Sequence, residues 1–204
     1  MNMKEMLKNI RKLQDFAPSL WGVFSLPDIR TVFRDKSAVQ TSRILTMLDG
    51  AGILKRFMRG FYYMPDKFDL CRLSQKTCPK SVISFEKVLS DNSLIDPVPV
   101  FEVSTVKPGP TRIYKDETYT IRHYSISPDL IFGFEYRNGV AFADTEKALI
   151  DLLYFYQKGR RPLVNLKCGI DYGRLNPDKF NAYLGKYRNP RFVSFAKNCI
   201  GGEI

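Results

Sequence analysis

The chain has 204 residues, of which 44% are apolar and 13% aromatic, so it is long enough for one large or two small domains with packed cores. Its net charge of +11 favours a polyanionic partner, although charge alone does not separate DNA, RNA and an anionic membrane. The positive charge is concentrated early in the chain, because residues 1–80 carry 15 Lys and Arg against 7 Asp and Glu.

The cysteines and the single histidine, His123, do not form a metal-ligating pattern. Cys71, Cys78, Cys168 and Cys199 include no CxxC pair, so we expect no structural metal and no cofactor. Disulfides are possible, but a chain with a full core does not need them, which favours reduced thiols in the cytoplasm. The charged N-terminus lacks the apolar segment of a signal peptide, and no apolar run is long enough to span a membrane.

Three helices are predicted in the first 52 residues. In Met3–Phe16 the apolar residues recur every three or four positions and form one stripe: Met3, Met6, Leu7, Ile10 and Leu13. Ser25 can cap a second helix that has Pro27 in its first turn and ends near Asp35. Ser37 opens the third helix, which Gly50 and Gly52 end. Its buried face is predicted to hold Thr41, Ile44, Leu45 and Leu48.

Two β-prone runs follow the third helix, at 53–57 and 61–64, and Arg59-Gly60 lies between them. They predict a β-hairpin. Three helices and a basic hairpin within about 65 residues are typical of a winged helix-turn-helix, which we place at residues 1–66. Residues 67–79 are less regular and are interpreted as a linker.

The second domain, residues 80–204, is predicted to be a small antiparallel sheet packed with helices, which makes the whole chain α+β. Ser84 can cap a short helix near 85–90, and Asp144 can cap a stronger helix at 145–157 that covers the sheet. Five strands are predicted, at 99–105, 111–114, 119–126, 130–136 and 140–142. Two short helices rich in basic and aromatic residues begin after Asn176 and Asn189.

The third helix and the hairpin contain the candidate DNA-binding residues, namely Ser37, Gln40, Arg43, Lys55, Arg56 and Arg59. A helix fits the major groove, where Gln pairs with adenine and Arg with guanine through two hydrogen bonds each. Ser37 can bind a phosphate near the N-terminus of the helix, and the hairpin cations suit phosphates or the minor groove. Alternatively, Arg43 is simply a solvated helix residue, or the helix-turn-helix binds another protein.

The sequence contains no convincing catalytic motif. Asp144, Glu146 and Asp151 lie near the start of one helix, where acidic residues commonly cap a helix or complement its dipole. His123 lies in an alternating strand without an evident partner in the sequence. Since no phosphate-binding loop is present either, we do not expect an enzyme.

Several segments in a fixed order resemble AbiEi-type antitoxins over about residues 20–157. The first is TMLDGAGILKRFMRGFYYMP, which resembles their N-terminal domain. The others resemble the domain that follows: SVISFEKVLSDNSLI, FEVST, RHYSISPDLIFGF and VAFADTEKALIDLLYF. The chain departs from the usual pattern at Lys87, Val88, Asp91 and Asn92, where small residues and a His-Gly pair are usual.

The resemblance implies a type IV antitoxin that represses its own operon by binding inverted repeats in double-stranded DNA through the winged domain. It also implies that the second domain counteracts an AbiEii-like nucleotidyltransferase toxin without forming a stable complex. A stand-alone transcriptional regulator, whose second domain senses a ligand or oligomerises, is the alternative. A nuclease delivered to DNA by the helix-turn-helix is a third possibility.

Overall fold

A computed structural model describes residues 3–201, which form eight α-helices and two β-sheets and so confirm the α+β class. The ends of the two predicted domains, residues 1–2 and 202–204, lie outside this range. The chain divides into two compact units. The first runs up to Pro79 and includes Tyr114–Thr118, and the second takes the remainder. Within residues 3–201, no helix is both long and apolar enough to cross a lipid bilayer.

The first unit contains four helices and a three-stranded sheet. Its elements are α1 (Met3–Leu20), β1 (Val23–Ser25), α2 (Leu26–Val32), α3 (Ala38–Gly50), β2 (Lys55–Met58), β3 (Phe61–Tyr63) and α4 (Leu70–Thr77). The strands pair antiparallel in the order β1-β3-β2. The three predicted helices and the hairpin are therefore present, and the short extended segment before α2 adds a third strand. Helix α4 lies within residues 67–79, which the sequence suggested were an irregular linker.

Local capping interactions fix the ends of α2 and α3. At each N-terminus a serine hydroxyl accepts from a backbone N–H three residues later, and that later side chain accepts from the backbone N–H of the serine. The serines are Ser25 and Ser37, both predicted caps. Helix α3 ends at Gly50, and just beyond it Gly52 has a φ of 71°, which suits glycine, while the backbone N–H of Ile53 donates to the Leu48 carbonyl at 3.0 Å. These contacts fix α3 at both ends.

The core of the first unit is formed by α1, α2, α3 and the sheet, and only the later residues of the predicted apolar stripe of α1 contribute to it. Leu13 and Ala17 are fully or nearly fully buried in this core, and Ile10 packs against it. Met3 and Leu7, in the predicted apolar stripe, are exposed. The reason is that α1 continues to Leu20, so its C-terminal half makes the core contacts and its first turns do not.

The second unit contains a six-stranded sheet and four helices. Its strands are β4 (Val82–Ile83), β5 (Glu102–Lys107), β6 (Arg112–Lys115), β7 (Thr120–Ser125), β8 (Phe134–Arg137) and β9 (Val140–Ala143). Its helices are α5 (Phe85–Asp91), α6 (Thr145–Gln157), α7 (Pro177–Leu184) and α8 (Pro190–Gly201). The strand order is β6-β7-β5-β4-β9-β8.

The prediction of an antiparallel sheet is wrong, because this sheet is mixed. Strands β4 and β5 pair antiparallel, as do β8 and β9, but β4 runs parallel to β9 and β5 runs parallel to β7. The two-residue strand β4 joins the two halves of the sheet and is too short to have been recognised in the sequence. Pairing between strands far apart in the chain decides such a topology, so local patterns do not reveal it.

Helix α6 is the central helix of the second unit, and a buried polar cluster lies on it. Lys147 and Asp151, whose side chains are 1% and 0% exposed, form an ion pair one helical turn apart. The Ser84 hydroxyl donates to the second oxygen of Asp151 at 2.7 Å, and the Tyr187 hydroxyl lies 3.4 Å from the Lys147 ammonium. Burial raises the pKa of Asp151, while the contacts with Lys147 and Ser84 oppose this rise. The cluster pairs both charges inside the core.

Ser84 and Asp144 occupy the predicted N-cap positions in the second unit, but neither side chain makes the predicted capping hydrogen bond. Ser84 makes no side-chain cap bond to α5, because its hydroxyl is turned to Asp151, and the next residue, Phe85, has a positive φ of 62°. Asp144 makes none to α6, because its carboxylate accepts from the Tyr183 hydroxyl at 2.6 Å. Tertiary partners have replaced the local capping bonds.

Replacing Asp151 with Leu should lower the free energy of unfolding by about 3–5 kcal/mol, because the Lys147 ammonium would stay buried without a carboxylate. Urea denaturation followed by circular dichroism measures the change. The matched control, Lys147→Met with Asp151→Leu, removes both charges at similar volume and should lose less. A double variant as unstable as the single one would contradict an ion pair at this position.

Candidate nucleic-acid interface

Helix α3 has one buried face and one exposed face. Its buried residues, Thr41, Ile44, Leu45 and Leu48, are the four that the sequence predicted. With 3.6 residues per turn, this places Arg43 on the opposite side, where it is exposed. The predicted outward direction of Arg43 is therefore confirmed, and the packing of α3 leaves a continuous outer face available to a ligand.

Ser37 and Gln40, two predicted DNA-binding residues, are exposed but bonded to each other. The Gln40 carboxamide oxygen accepts from the Ser37 backbone N–H at 2.9 Å, and the Ser37 hydroxyl accepts from the Gln40 N–H at 3.3 Å. A glutamine that reads adenine needs its carboxamide oxygen and nitrogen together. In this geometry Gln40 cannot offer both without breaking the cap. The sequence already contained the signal, because a serine followed three residues later by glutamine is a capping-box pattern.

The hairpin places its predicted cations in different directions. Strand β2 pairs Lys55 with Tyr63 and Arg56 with Tyr62. Successive residues of a strand point to opposite faces, so Lys55 and Arg56 lie on opposite faces of the sheet. Tyr62 packs against the core of the first unit, so Arg56 lies on that same face of the sheet, in the edge strand β2, where it is exposed. The predicted cluster of three hairpin cations is therefore divided between two faces.

Arg59 and Gly60 form the tight turn between β2 and β3. Gly60 has a φ of 84°, which glycine adopts without strain, and its carbonyl accepts from the Leu26 N–H at 2.8 Å. This bond ties the turn to the start of α2. At the other end of the hairpin, the Asp49 carboxylate accepts from the backbone N–H of Arg56 at 3.1 Å. This bond connects β2 to the end of α3. Arg59 is thus exposed on a turn that is held in place.

Three of the four cations predicted on α3 and the hairpin are exposed, and the fourth, Lys55, is half-buried. Among residues 3–201, Arg43, Lys55, Arg56 and Arg59 make no ion pair with a carboxylate. Nearby cations of the same unit are paired, since Lys12 contacts Asp35 at 2.6 Å. Unpaired positive charges on exposed side chains attract a polyanion such as DNA, which releases its condensed counterions when it binds.

Arg30 and Arg34 were missed as candidate residues by sequence reasoning. They lie on or just after α2, are exposed, and border a groove of about 590 Å³ whose other wall includes Thr41 and Ser42 of α3. Neither forms an ion pair within the described part of the chain. Helical periodicity in the sequence could have indicated their exposure, because Arg30 and Arg34 lie four residues apart and alternate with the buried Ile29, Val32 and Phe33.

Helix α4 supports the first unit from the side of β1. The Lys76 ammonium contacts the Asp28 carboxylate at 2.6 Å and donates to the Val23 carbonyl at 3.0 Å. Although burial works in the opposite direction, hydrogen bonds from Lys76 and Ser25 hold the pKa of Asp28 below its usual value. The Arg72 guanidinium stacks on the Trp21 ring at 4.3 Å. Basic residues of α4 therefore serve internal contacts.

The second unit has a cleft of about 710 Å³ at the C-terminal end of α6. Two of its cations are paired: Arg122 with Glu102 at 2.6 Å, and Arg160 with Glu86 at 2.6 Å. The pair with Arg160 is nearly buried, and this guanidinium also stacks on Phe85 at 4.6 Å. The two remaining cations, Lys158 and Arg161, are exposed and make no ion pair within residues 3–201. The cleft thus has an excess of positive charge.

Some basic residues near the C-terminus make internal contacts. Lys179 lies 3.1 Å from the Asp144 carboxylate and 3.4 Å from that of Glu146. The Lys186 ammonium lies 4.0 Å from the centroid of the Phe132 ring. These contacts brace α7 against neighbouring segments, so Lys179 and Lys186 are less available to a polyanion than the unpaired cations of the first unit.

The described part of the chain, residues 3–201, contains no metal centre. Within residues 3–201, no three His, Cys, Asp or Glu side chains come together as a metal site would require. His123 is buried beside Thr105, and burial, together with the charge of Lys107, lowers its pKa to about 4. Comparison of the sequence with protein-family models and with curated proteins gives no match.

Replacing Gln40 with Ala should lower the free energy of unfolding of the first unit by about 1 kcal/mol, because the Ser37 N–H loses its acceptor. Gln40→Glu should keep or raise stability, since glutamate preserves the cap and its charge favours a helix N-terminus. Urea denaturation followed by the fluorescence of Trp21, the only tryptophan, measures both. Equal losses in the two variants would mean that Gln40 does not act through the cap.

Proposed function

We propose that the first unit is a winged helix-turn-helix that binds double-stranded operator DNA, and that the chain is an antitoxin of type IV. In this proposal the protein represses its own operon at inverted repeats and counteracts a nucleotidyltransferase toxin without a stable complex. The proposal assigns no catalytic residue to the chain. It places α3 in the major groove and the β2–β3 hairpin beside it.

The order of elements supports the winged assignment. Three helices precede a hairpin, α2 and α3 are joined by a short turn, and β1 completes a small sheet with the hairpin at its edge. A recognition helix needs one face in the core and one face free, and α3 has both. A helix of this width also fits a major groove about 12 Å wide.

The observation that carries the proposal is that the arginines at 43, 56 and 59 are exposed and make no ion pair with any carboxylate of residues 3–201. Arg43 lies on the outer face of α3, while Arg56 and Arg59 belong to the hairpin that follows it. Arg30 and Arg34 add charge beside α3. A DNA backbone can neutralise such residues, and the excess of positive charge in the first 80 residues is consistent with this partner.

The antitoxin part of the proposal rests on the resemblance of the second unit to AbiEi-type antitoxins. Two of the resembling segments meet in the buried cluster, since Ser84 comes from one and Lys147 and Asp151 come from the other. The resembling segments therefore contain residues that pair buried charges in the core of the second unit. This favours a shared fold in the second unit, from which the shared function is proposed.

A stand-alone regulator that senses a ligand is the second candidate. The cleft at the end of α6 favours it, because Lys158 and Arg161 are exposed and unpaired within the described residues and the cleft has the size of a small-molecule site. Such a regulator would change its DNA affinity when a small anion occupies the cleft. It would not protect a cell from a toxin.

Replacing Arg56 and Arg59 with Gln should weaken binding to the DNA upstream of the gene and make its salt dependence less steep. Each lost phosphate contact lowers the slope of log affinity against log salt by about 0.9, so a loss of about two is expected. Fluorescence anisotropy titrations at several salt concentrations measure it. Lys8→Gln with Arg11→Gln, on exposed positions of α1, is the charge-matched control. Equal losses in both double variants would remove the hairpin from the interface.

Co-expression with the nucleotidyltransferase of a neighbouring gene tests the antitoxin role. We expect the full chain to restore growth, and the Arg56→Gln, Arg59→Gln variant to restore it equally when both genes are driven by unrelated promoters. Neutralisation is assigned to the second unit, so it should not need DNA binding. A chain that binds DNA but never restores growth would favour the ligand-sensing regulator instead.

A further inference from the structure

We propose that Val39 and Arg43 form the base-reading pair of α3, with Val39 contacting the methyl group of a thymine and Arg43 a guanine. This inference rests on the proposed function and adds to it the sequence class of the operator. The sequence alone had pointed to Gln40 and Arg43, and therefore to adenine and guanine. The geometry of the helix changes the first of these two assignments.

Val39 lies on the outer face of α3, one helical turn before Arg43. Residues four apart lie on the same side of a helix, and both positions are opposite the buried Ile44, Leu45 and Leu48. The Val39 side chain is 63% exposed, although valine is usually buried. An apolar residue on the outermost line of the helix is suited to an apolar partner that enters from outside.

Two other polar residues on the exposed side of α3, Gln40 and Thr46, are already engaged in local hydrogen bonds. The Gln40 carboxamide oxygen is held by the Ser37 N–H. The Thr46 hydroxyl donates to the Ser42 carbonyl at 3.1 Å. Arg43, by contrast, has no carboxylate partner within residues 3–201. Val39 and Arg43 lie directly opposite the buried face, and both can meet DNA without first breaking a hydrogen bond or ion pair within residues 3–201.

The major groove offers matching groups for these two side chains. Thymine presents its 5-methyl group there, and no other base carries an equivalent apolar group. Valine is stiff about its first side-chain torsion, so little freedom is lost when its methyl groups contact thymine. Guanine presents two acceptors that an arginine can bind together. The two side chains are separated by about 6 Å along the helix, which corresponds to one or two base steps of about 3.4 Å.

The test begins with selection of binding sites from a randomised duplex library by the full chain. We expect a thymine and a guanine one or two steps apart in each half-site. Replacing that thymine with deoxyuridine removes only the methyl group and should weaken binding of the natural chain about fourfold. Val39→Ala should bind the two duplexes equally, because its contact with the methyl group is already lost.

Two further variants separate the contact from general damage. Met47→Ala truncates another exposed apolar residue of α3 on a flank of the helix, and it should keep the fourfold preference for thymine. Val39→Thr keeps one methyl group at nearly the same volume and should retain part of the preference. Trp21 fluorescence and circular dichroism confirm that each variant is folded, which is expected because the altered side chains are exposed.

Failure of this inference can be distinguished from failure of the proposed function. If the natural chain binds DNA with a steep salt dependence but shows the same thymine preference as Val39→Ala, the base-reading pair is wrong and the DNA-binding function stands. If the natural chain binds no duplex at low salt, both the base-reading pair and the proposed DNA-binding function are wrong. A preference for adenine that disappears in Gln40→Glu would return the reading role to Gln40.

Discussion

The burial of one face of α3 is the constraint on which the proposed interface depends. Ile44, Leu45 and Leu48 pack into the core of the first unit and leave α3 little freedom to rotate about its axis. Because the helix is rigid, fixing these three residues also fixes the direction of Val39 and Arg43. The contacts of Asp49 with β2 and of Gly60 with α2 then set the hairpin relative to the same helix. Residues that never touch a ligand thus orient those that would.

Stability and recognition are divided between neighbouring residues at the start of α3. Ser37 and Gln40 satisfy backbone and side-chain groups of the first turn, which an uncapped helix would leave without partners. Val39, between them, takes no part in the cap. An exposed valine contributes little to folding, so its position on the outer face is more easily understood through an external contact than through stability.

The second unit buries a pair of opposite charges, whereas the arginines of the proposed interface in the first unit are exposed. Lys147 and Asp151 are paired inside the core, and Ser84 and Tyr187 complete their surroundings. Such a pair does not necessarily stabilise the fold, because taking two charges out of water is costly, but breaking it would be more costly still. It therefore restricts how α6 can pack. The cations available to a partner remain on the surface, at α3, at the hairpin and in the cleft beside α6.

The sequence by itself determined the elements whose causes are local. The caps at Ser25 and Ser37, the end of α3 just before Gly52 and its buried face follow from residues within one or two turns of each other. Tertiary structure alone decided the mixed sheet and the partner of Ser84, because these join segments up to 67 residues apart. Strand alternation alone implies that Lys55 and Arg56 point apart, but only strand pairing decided that Arg56 shares its face with Tyr62, which packs against the core.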